Sequence, residues 1–300
     1  MGIWHSYAKI NWYLRILDRR PDGYHNLETV FQEVELADRL VIEPIEEPRC
    51  IIEGMPFDLP LEKNLIYRAW ARLREAFPEK VGGIRVEVDK RIPDGGGLGG
   101  GSSNAATTLC AVNDIFSLGL SSQTLEHIGA ELGSDVPFFV RGGCAVGRGR
   151  GEILEAVERV QPFEIGLVFP SVRTSTAEAY RRLAELSHRP TPSHPLDGVL
   201  EALRVGDETF LSSAAFNDFD AVYGNEDWYR DGVALLKELG FERCILSGSG
   251  STLIGIKNPH LSLKKTLEPR IFERPIQERK DAKWLILRTR VTFRTTSERK

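Results

Sequence analysis

No apolar run in the sequence approaches the roughly 18 residues that a membrane-spanning helix needs, so no helical span is expected. The opening MGIWHSYAKINWYL lacks the basic start and following apolar run of a secretory signal. Cysteine is scarce. Cys50, Cys110, Cys144 and Cys244 are far apart and form no CxxC pair, which excludes the usual zinc spacings and a disulfide framework. Each sits among apolar neighbours, as buried thiols do, so a reducing compartment and a cytoplasmic location are expected. No acidic and histidine cluster has metal-ligand spacing; His188 and His194 flank prolines and read as loop residues. Charge of one sign is also missing. The formal net charge is −4, too small for a general polyanion binder. It is uneven: residues 262–300 hold twelve Lys/Arg against five Asp/Glu, leaving about −11 on the rest. The plain reading is a solvated, partly disordered basic tail, with a nucleic-acid contact the lesser one. Neither nucleic acid nor membrane is an expected partner, and the sequence is silent on oligomeric state.

What is present is an ordinary globular composition: 300 residues, 41% hydrophobic and 27% charged, enough for a large core or two domains. Residues 3–17 alternate, with Ala8, Ile10, Trp12, Leu14 and Ile16 against Lys9, Asn11, Tyr13 and Arg15, and predict a strand. The turn signal DRRPDGYH follows at 18–25. Strands are expected at 27–36 and 38–45 around a short connection, and at 84–93, 163–170 and 284–291. CILSGSGSTLIGI at 244–256 reads as a strand, a small-residue turn and another strand. Helical spacing marks 62–77, the stretch through Ala105, Leu109, Val112 and Phe116, 120–132 with Ser121 or Ser122 as cap, and 174–186. GSDVPFFVRGG at 133–143 reads as a break, and SHRPTPSHPLDG at 187–198 as a proline-rich loop. Strands and helices are mixed without a fixed-period repeat, and a boundary near 160 divides the chain into 1–160 and 161–300.

The most informative segment is PDGGGLGGGSSNAA at 93–106, with six glycines in the seven positions 95–101. Glycine loses more freedom on folding than any other residue, so this loop is costly to order. A strand, then glycines, then a helix aims free backbone N–H groups at an anion, and the helix N-terminus adds partial positive charge. Ser102, Ser103 and Asn104 could cap the helix or donate to phosphate. Gly95-x-Gly97-x-x-Gly100 also matches a dinucleotide fingerprint, but the expected second strand ending in an acidic residue is missing. Gly96-x4-Gly101 before Ser102-Ser103 imitates a Walker loop without its lysine. A ligand-free glycine hinge is the structural alternative.

This segment resembles the phosphate loop of the GHMP kinase superfamily. AKINWYL (8–14), PDGYHNLETVFQEVEL (21–36), NLIYRA (64–69), LGSDVPFFVRGGCAVGRGRGE (132–152) and LSGSGSTLIG (246–255) extend the resemblance in order over roughly 1–256. It implies an α+β, two-domain GHMP kinase fold: a ribosomal S5 domain 2-like N-terminal domain and a ferredoxin-like C-terminal domain. The resemblance implies ATP, with Mg²⁺ carried by the nucleotide. It also implies phosphoryl transfer to a hydroxyl of a small-molecule substrate with a cytidine diphosphate moiety. Other readings are another GHMP-type small-molecule kinase, or a non-catalytic nucleotide- or RNA-binding protein on the same fold. Nothing is carried onto 257–283.

The resemblance assigns Pro93, Asp94, Gly95, Gly96, Gly97, Leu98, Gly99, Gly100, Gly101, Ser102 and Ser103 to the nucleotide. Asn64 joins them near the adenine or its ribose, although a helix N-cap fits Asn64 nearly as well. Asp135, in GSDVP, is by residue type a turn aspartate bonding its own backbone; the resemblance makes it the acceptor of the attacking hydroxyl's proton. Lys9 is by position a surface lysine; the resemblance makes it catalytic, orienting Asp135 and the hydroxyl together. Asn11 shares its strand face with Lys9 and could bond the polyol. Tyr24 and His25 belong to the segment implied to recognise cytidine, with Thr176 and Tyr180 as a second wall, although Tyr180 also fits a core position on an amphipathic helix. Ser247–Ser251 matches a third motif closing over the glycine loop, or else an ordinary hairpin turn.

Overall fold

The computed structural model describes residues 2–56, 59–170, 172–257 and 284–290. The first half runs β1 (Gly2–Arg19), β2 (His25–Ile45), β3 (Cys50–Glu53), α1 (Leu65–Ala76), β4 (Gly83–Asp89), α2 (Gly100–Ile115), α3 (Ser122–Leu132), α4 (Val136–Arg141), β5 (Cys144–Arg148) and β6 (Ile153–Ala156). It continues with β7 (Glu164–Pro170), α5 (Thr176–Glu185), α6 (Leu196–Val205), α7 (Glu208–Ala214), β8 (Phe216–Asn217), α8 (Asp220–Tyr223), α9 (Asp227–Glu238), β9 (Phe241–Leu246), β10 (Leu253–Lys257) and β11 (Trp284–Arg290). Among the described residues no helix is long and apolar enough to cross a membrane.

Two sheets organise these elements. A seven-stranded sheet has the order β3-β4-β2-β1-β8, with β5 pairing β2 and β6; a four-stranded sheet has the order β11-β7-β10-β9. One apolar cluster, with Trp4, Leu40, Ile84, Leu73, Leu109 and Phe138, packs the first sheet against α1, α2 and α4. A second joins the two sheets: Ala8, Ile10 and Trp12 of β1 meet Ile165, Leu167 and Ile254. The two-residue strand β8 adds in parallel to β1, so the second half of the chain also completes the first sheet.

Several sequence expectations change. The strands at 27–36 and 38–45 are one strand, β2; the expected connection is a bulge, since Tyr7 faces Ala37 while Ala8 faces Val34. The bulge lets β2 change neighbours, pairing β5 over Thr29–Gln32 and β4 over Arg39–Ile45. The strand expected at 84–93 ends at Asp89. Beyond it the backbone N–H groups of Arg91 and Ile92 each donate at 2.7 Å to the Asp38 carboxylate instead of to a ladder. The break at 133–143 contains α4, with Pro137 in its first turn, where a missing N–H costs nothing. Helix 120–132 begins at Ser122, capped by Ser121. Helices α6, α7, α8 and α9 lie outside the sequence expectations, and α6 begins at Leu196, inside the expected proline-rich loop. Of the basic segment 262–300, only β11 lies within the described residues.

Candidate active site

Strand β1 supplies the centre of the site. Strict alternation places Leu14 with Ala8 and Ile10, but a bulge at Trp12 intervenes: Asn11 faces Phe31 and Tyr13 faces Val30. Leu14 therefore leaves the cluster of Ala8, Ile10 and Trp12 and packs with Phe219 and Val168. Lys9, Asn11 and Leu14 all line one cleft of about 1050 Å³. Both faces of β1 are covered here, so Lys9 is 4% exposed and is no surface lysine.

Lys9 Nζ donates to Asn11 Oδ1 at 2.8 Å and lies 3.7 Å from Asp135 Oδ2. It also sits 5.4 Å from the centre of the Phe31 ring. Burial lowers the Lys9 pKa, opposed by the nearby Asp135 charge. Asp135 occupies the N-cap position of α4 but its side chain makes no capping bond. The turn reading therefore does not describe it: its carboxylate faces Lys9 and the cleft. Asn11 is held by protein through both its oxygen and its amide. Its oxygen also accepts from Gly248 N at 3.0 Å, and its amide donates to Thr29 Oγ1 at 2.7 Å.

The glycine loop forms the adjoining wall, with every residue from Pro93 to Ser102 lining the cleft. Gly95, Gly97 and Gly99 have φ of +74°, +76° and +73°, a region side chains avoid. Close approach adds a second demand: a Cβ on Gly97 would sit 2.0 Å from Ser247 O. Between the glycines, Leu98 is buried in the inter-sheet cluster while its carbonyl accepts Lys9 N at 3.0 Å. This peg fixes the loop beside Lys9. Gly99 is the N-cap of α2 and has no side chain to cap it. The first amides of α2 are left to a ligand or solvent, and Gly100, Gly101 and Ser102 line the cleft there. A bare hinge would need none of this packing. An uncapped helix N-terminus on a loop already ordered by its own contacts suits a polyphosphate.

Ser103 and Asn64 lie outside the lining. Ser103 is buried and accepts from Ser6 Oγ at 2.8 Å. Asn64 caps α1, its oxygen accepting from Ile66 N at 2.9 Å, so the N-cap alternative is the one adopted. Neither Ser102, Ser103 nor Asn104 caps α2.

Ser247–Ser251 is no isolated hairpin turn. Ser247 Oγ donates to Gly97 O at 3.1 Å, and Thr252 N to Gly96 O at 3.2 Å. Asn217 donates to both Leu246 O and Gly248 O at 2.8 Å. Ser249 Oγ lies 2.9 Å from Thr176 Oγ1, linking this loop to α5.

The far end of the cleft is aromatic. His25 stacks on Tyr180, with ring centres 4.9 Å apart and planes 20° apart, and Tyr180 meets Phe219 edge-on at 5.1 Å. Tyr24 is 54% exposed and lies under the Arg150 guanidinium, 4.9 Å from ring centre. Burial raises the Tyr180 hydroxyl to about 12, with the Asp135 charge adding to the effect. Burial lowers His25, helped by the charges of Arg19 and Arg189. Sequence reasoning missed Lys90, Arg19, Arg150, Ser134 and Phe219, which also line the cleft. Lys90 carried one usable signal: it takes the next place in the apolar alternation Ile84, Val86, Val88, as Asp38 interrupts another run, and the two pair at 2.7 Å.

Comparison with known proteins identifies the family. Residues 64–143 match the family described as GHMP kinases N terminal domain. The chain belongs to the GHMP kinases. The 4-diphosphocytidyl-2-C-methyl-D-erythritol kinase of Moorella thermoacetica is 42% identical over 258 residues, 84% of this chain and 88% of that protein. The enzyme of the same name from Prosthecochloris aestuarii is 39% identical over 255 residues, covering 84% and 87%. A crystal structure of 4-(cytidine 5'-diphospho)-2C-methyl-D-erythritol kinase superposes with a TM-score of 0.72 at 34% identity, covering 85% of this chain and 90% of the other. Within the GHMP kinases, the chain belongs to the family of these 4-diphosphocytidyl-2-C-methyl-D-erythritol kinases.

Proposed function

We propose that the protein is an ATP-dependent kinase that phosphorylates the 2-hydroxyl of 4-diphosphocytidyl-2-C-methyl-D-erythritol, a step of the non-mevalonate isoprenoid route. The observation that carries this reading is the Lys9–Asp135 pair, 3.7 Å apart, in the same cleft as the uncapped start of α2. Bound ATP supplies the phosphoryl group, with Mg²⁺ arriving on its phosphate oxygens.

Asp135 accepts the proton of the attacking hydroxyl. Lys9, held by Asn11, fixes the carboxylate and the hydroxyl in one orientation. Phosphoryl transfer has a loose transition state and depends on positioning and charge stabilisation more than on base strength, which suits an aspartate beside an ammonium. The amides from Gly100 to Ser102 receive the phosphates. His25, Tyr180 and Tyr24 receive the cytosine, by stacking and by reading its edge. Residues 1–160 and 161–300 act as two domains: the first brings Lys9, Asp135 and the glycine loop, the second Thr176, Tyr180 and Ser249.

The deciding experiment measures ADP release with MgATP on 4-diphosphocytidyl-2-C-methyl-D-erythritol, homoserine, mevalonate and galactose. Turnover confined to the cytidyl substrate supports the proposal. Turnover of another alcohol keeps a kinase but removes the cytidine site. ATP binding without turnover of any of them points to a non-catalytic nucleotide-binding protein.

A further inference from the structure

The phosphate end of the cleft presents an electrostatic imbalance. The glycine loop opens with a carboxylate, Asp94, which lines the cleft and is half exposed. A triphosphate brought there meets this negative charge, and a helix N-terminus offsets only about half an elementary charge. The nearby cations are mostly committed. Lys9 is tied to Asn11 and Asp135. Lys90 is tied to Asp38 and to Ile92 O at 2.7 and 2.9 Å. Arg181 faces two carboxylates, Glu178 and Glu185, both at 2.5 Å, so its single charge is more than offset.

Arg173 is different. It comes from the segment between β7 and α5, in the second half of the chain. Its Nη2 lies 3.4 Å from Asp94 Oδ2, and its side chain is 73% exposed. Its stem crosses the first glycine of the loop: a Cβ on Gly95 would lie 3.7 Å from Arg173 Cγ and 3.9 Å from Cδ. The same segment is anchored by Thr174 Oγ1, which donates to Ser249 O at 3.2 Å. The guanidinium is thus delivered to the edge of the glycine loop by an anchored backbone, yet among the described residues its head is bound by a solvent-exposed ion pair alone. Such pairs are worth little and exchange readily. A guanidinium has five N–H donors, so it can keep one carboxylate contact while turning others to a second anion.

We propose that Arg173 is a nucleotide-binding residue: held over Gly95 by Asp94, it bridges that carboxylate and a phosphate of the bound nucleoside triphosphate. This rests on the ATP site proposed above. It assigns Asp94 the task of presenting Arg173 rather than of contacting the nucleotide itself.

The test is calorimetric binding of ATP, with steady-state kinetics alongside, for the unmodified protein, Arg173→Ala, Arg173→Lys, Asp94→Asn and the double variant. Arg173→Ala should weaken ATP about tenfold, the scale of one charge-assisted contact. KM for the cytidyl substrate should stay within twofold. Arg173→Lys should fall between, keeping the charge and losing the fork. The double variant, which lacks the phosphate contact as well as the Asp94 charge, should still bind ATP severalfold more weakly than the unmodified protein. Unchanged ATP affinity in Arg173→Ala overturns the proposal. So does a double variant that binds ATP as tightly as the unmodified protein, since Arg173 would then only cancel the Asp94 charge. Because binding is read directly, failure of the cytidyl substrate to turn over removes the proposed reaction without deciding the role of Arg173, which the ATP isotherms settle separately.

Discussion

The side-chain oxygen of Asn11 accepts the backbone N–H of Gly248 at 3.0 Å while accepting Lys9 Nζ at 2.8 Å. One buried amide thus ties the strand bearing the ammonium to the loop that packs on the glycines. Asn11→Ala leaves an N–H and an ammonium short of a partner, each buried. Stability should fall by about 1–3 kcal/mol, read from denaturant unfolding, and kcat should fall with little change in KM for ATP. Wild-type kcat in the folded variant would place Asn11 outside the catalytic arrangement.

Asp135→Asn keeps the shape of the side chain and removes the proton acceptor. Turnover should drop by about 10² to 10⁴, the range of general-base catalysis. ATP affinity, measured by calorimetry, should be nearly unchanged, because Asp135 lies beside Lys9 and not on the glycine loop.

The Lys9 ammonium is buried, and burial moves its pKa down from 10.5. The group is charged below its folded pKa and loses its charge as pH rises through it. The alkaline limb of kcat/KM should therefore fall below the ordinary lysine range. In Lys9→Arg, whose guanidinium stays charged, any residual activity should lack that limb. An identical alkaline limb in Lys9→Arg would assign the titration to another group.

Gly97 and Gly101 should respond in opposite ways. Gly97 has φ +76° and its missing Cβ would collide with Ser247 O, so Gly97→Ala should lower Tm and expression. A Cβ at Gly101 meets only Leu65 Cδ1 at 3.7 Å, and the residue lies in the first turn of α2. Gly101→Ala should leave Tm unchanged or slightly higher while raising KM for ATP, because the added methyl enters the cleft. Parallel Tm losses in both variants would mean that the two glycines serve packing alone.

Tyr180 should act through its ring. Its hydroxyl stays protonated through the neutral range, since burial raises it to about 12. Tyr180→Phe should retain the stack on His25 and near-normal kinetics. Tyr180→Ala should raise KM for the cytidyl substrate about tenfold, in line with about 1–3 kcal/mol for base–aromatic stacking, with KM for ATP unaffected. Equal increases in both constants would indicate a collapsed cleft rather than a lost stacking surface.

Much of the site is legible in PDGGGLGGGSSNAA, because positive φ and close approach are local demands that glycine alone meets. Leu98, the one apolar residue among those glycines, reads as part of the loop, and its burial as a peg emerges only when the sheets come together. Asn64 and Ser103 show the converse. Their residue types suit a ligand or a scaffold equally, and the partner that decides is local for Asn64, the Ile66 amide, and distant for Ser103, the Ser6 hydroxyl. Asp135 is equally ambiguous in sequence as a turn aspartate, and the buried Lys9 facing it decides.

By itself the sequence determined the strand–loop–helix unit, the succession of strands and helices around it and the family to which they belong, since periodicity, caps and glycine φ act over a few residues. Only the tertiary structure decided the rest. It put both faces of β1 under cover, burying Lys9. The bulge at Trp12 turned Leu14 to the cleft, and β2 became one bent strand. His25, and not Tyr24, came to rest on Tyr180, and Arg173 reached across to Asp94. Each of these depends on which distant groups are brought within a few ångströms, and burial and pairing exist only once they are.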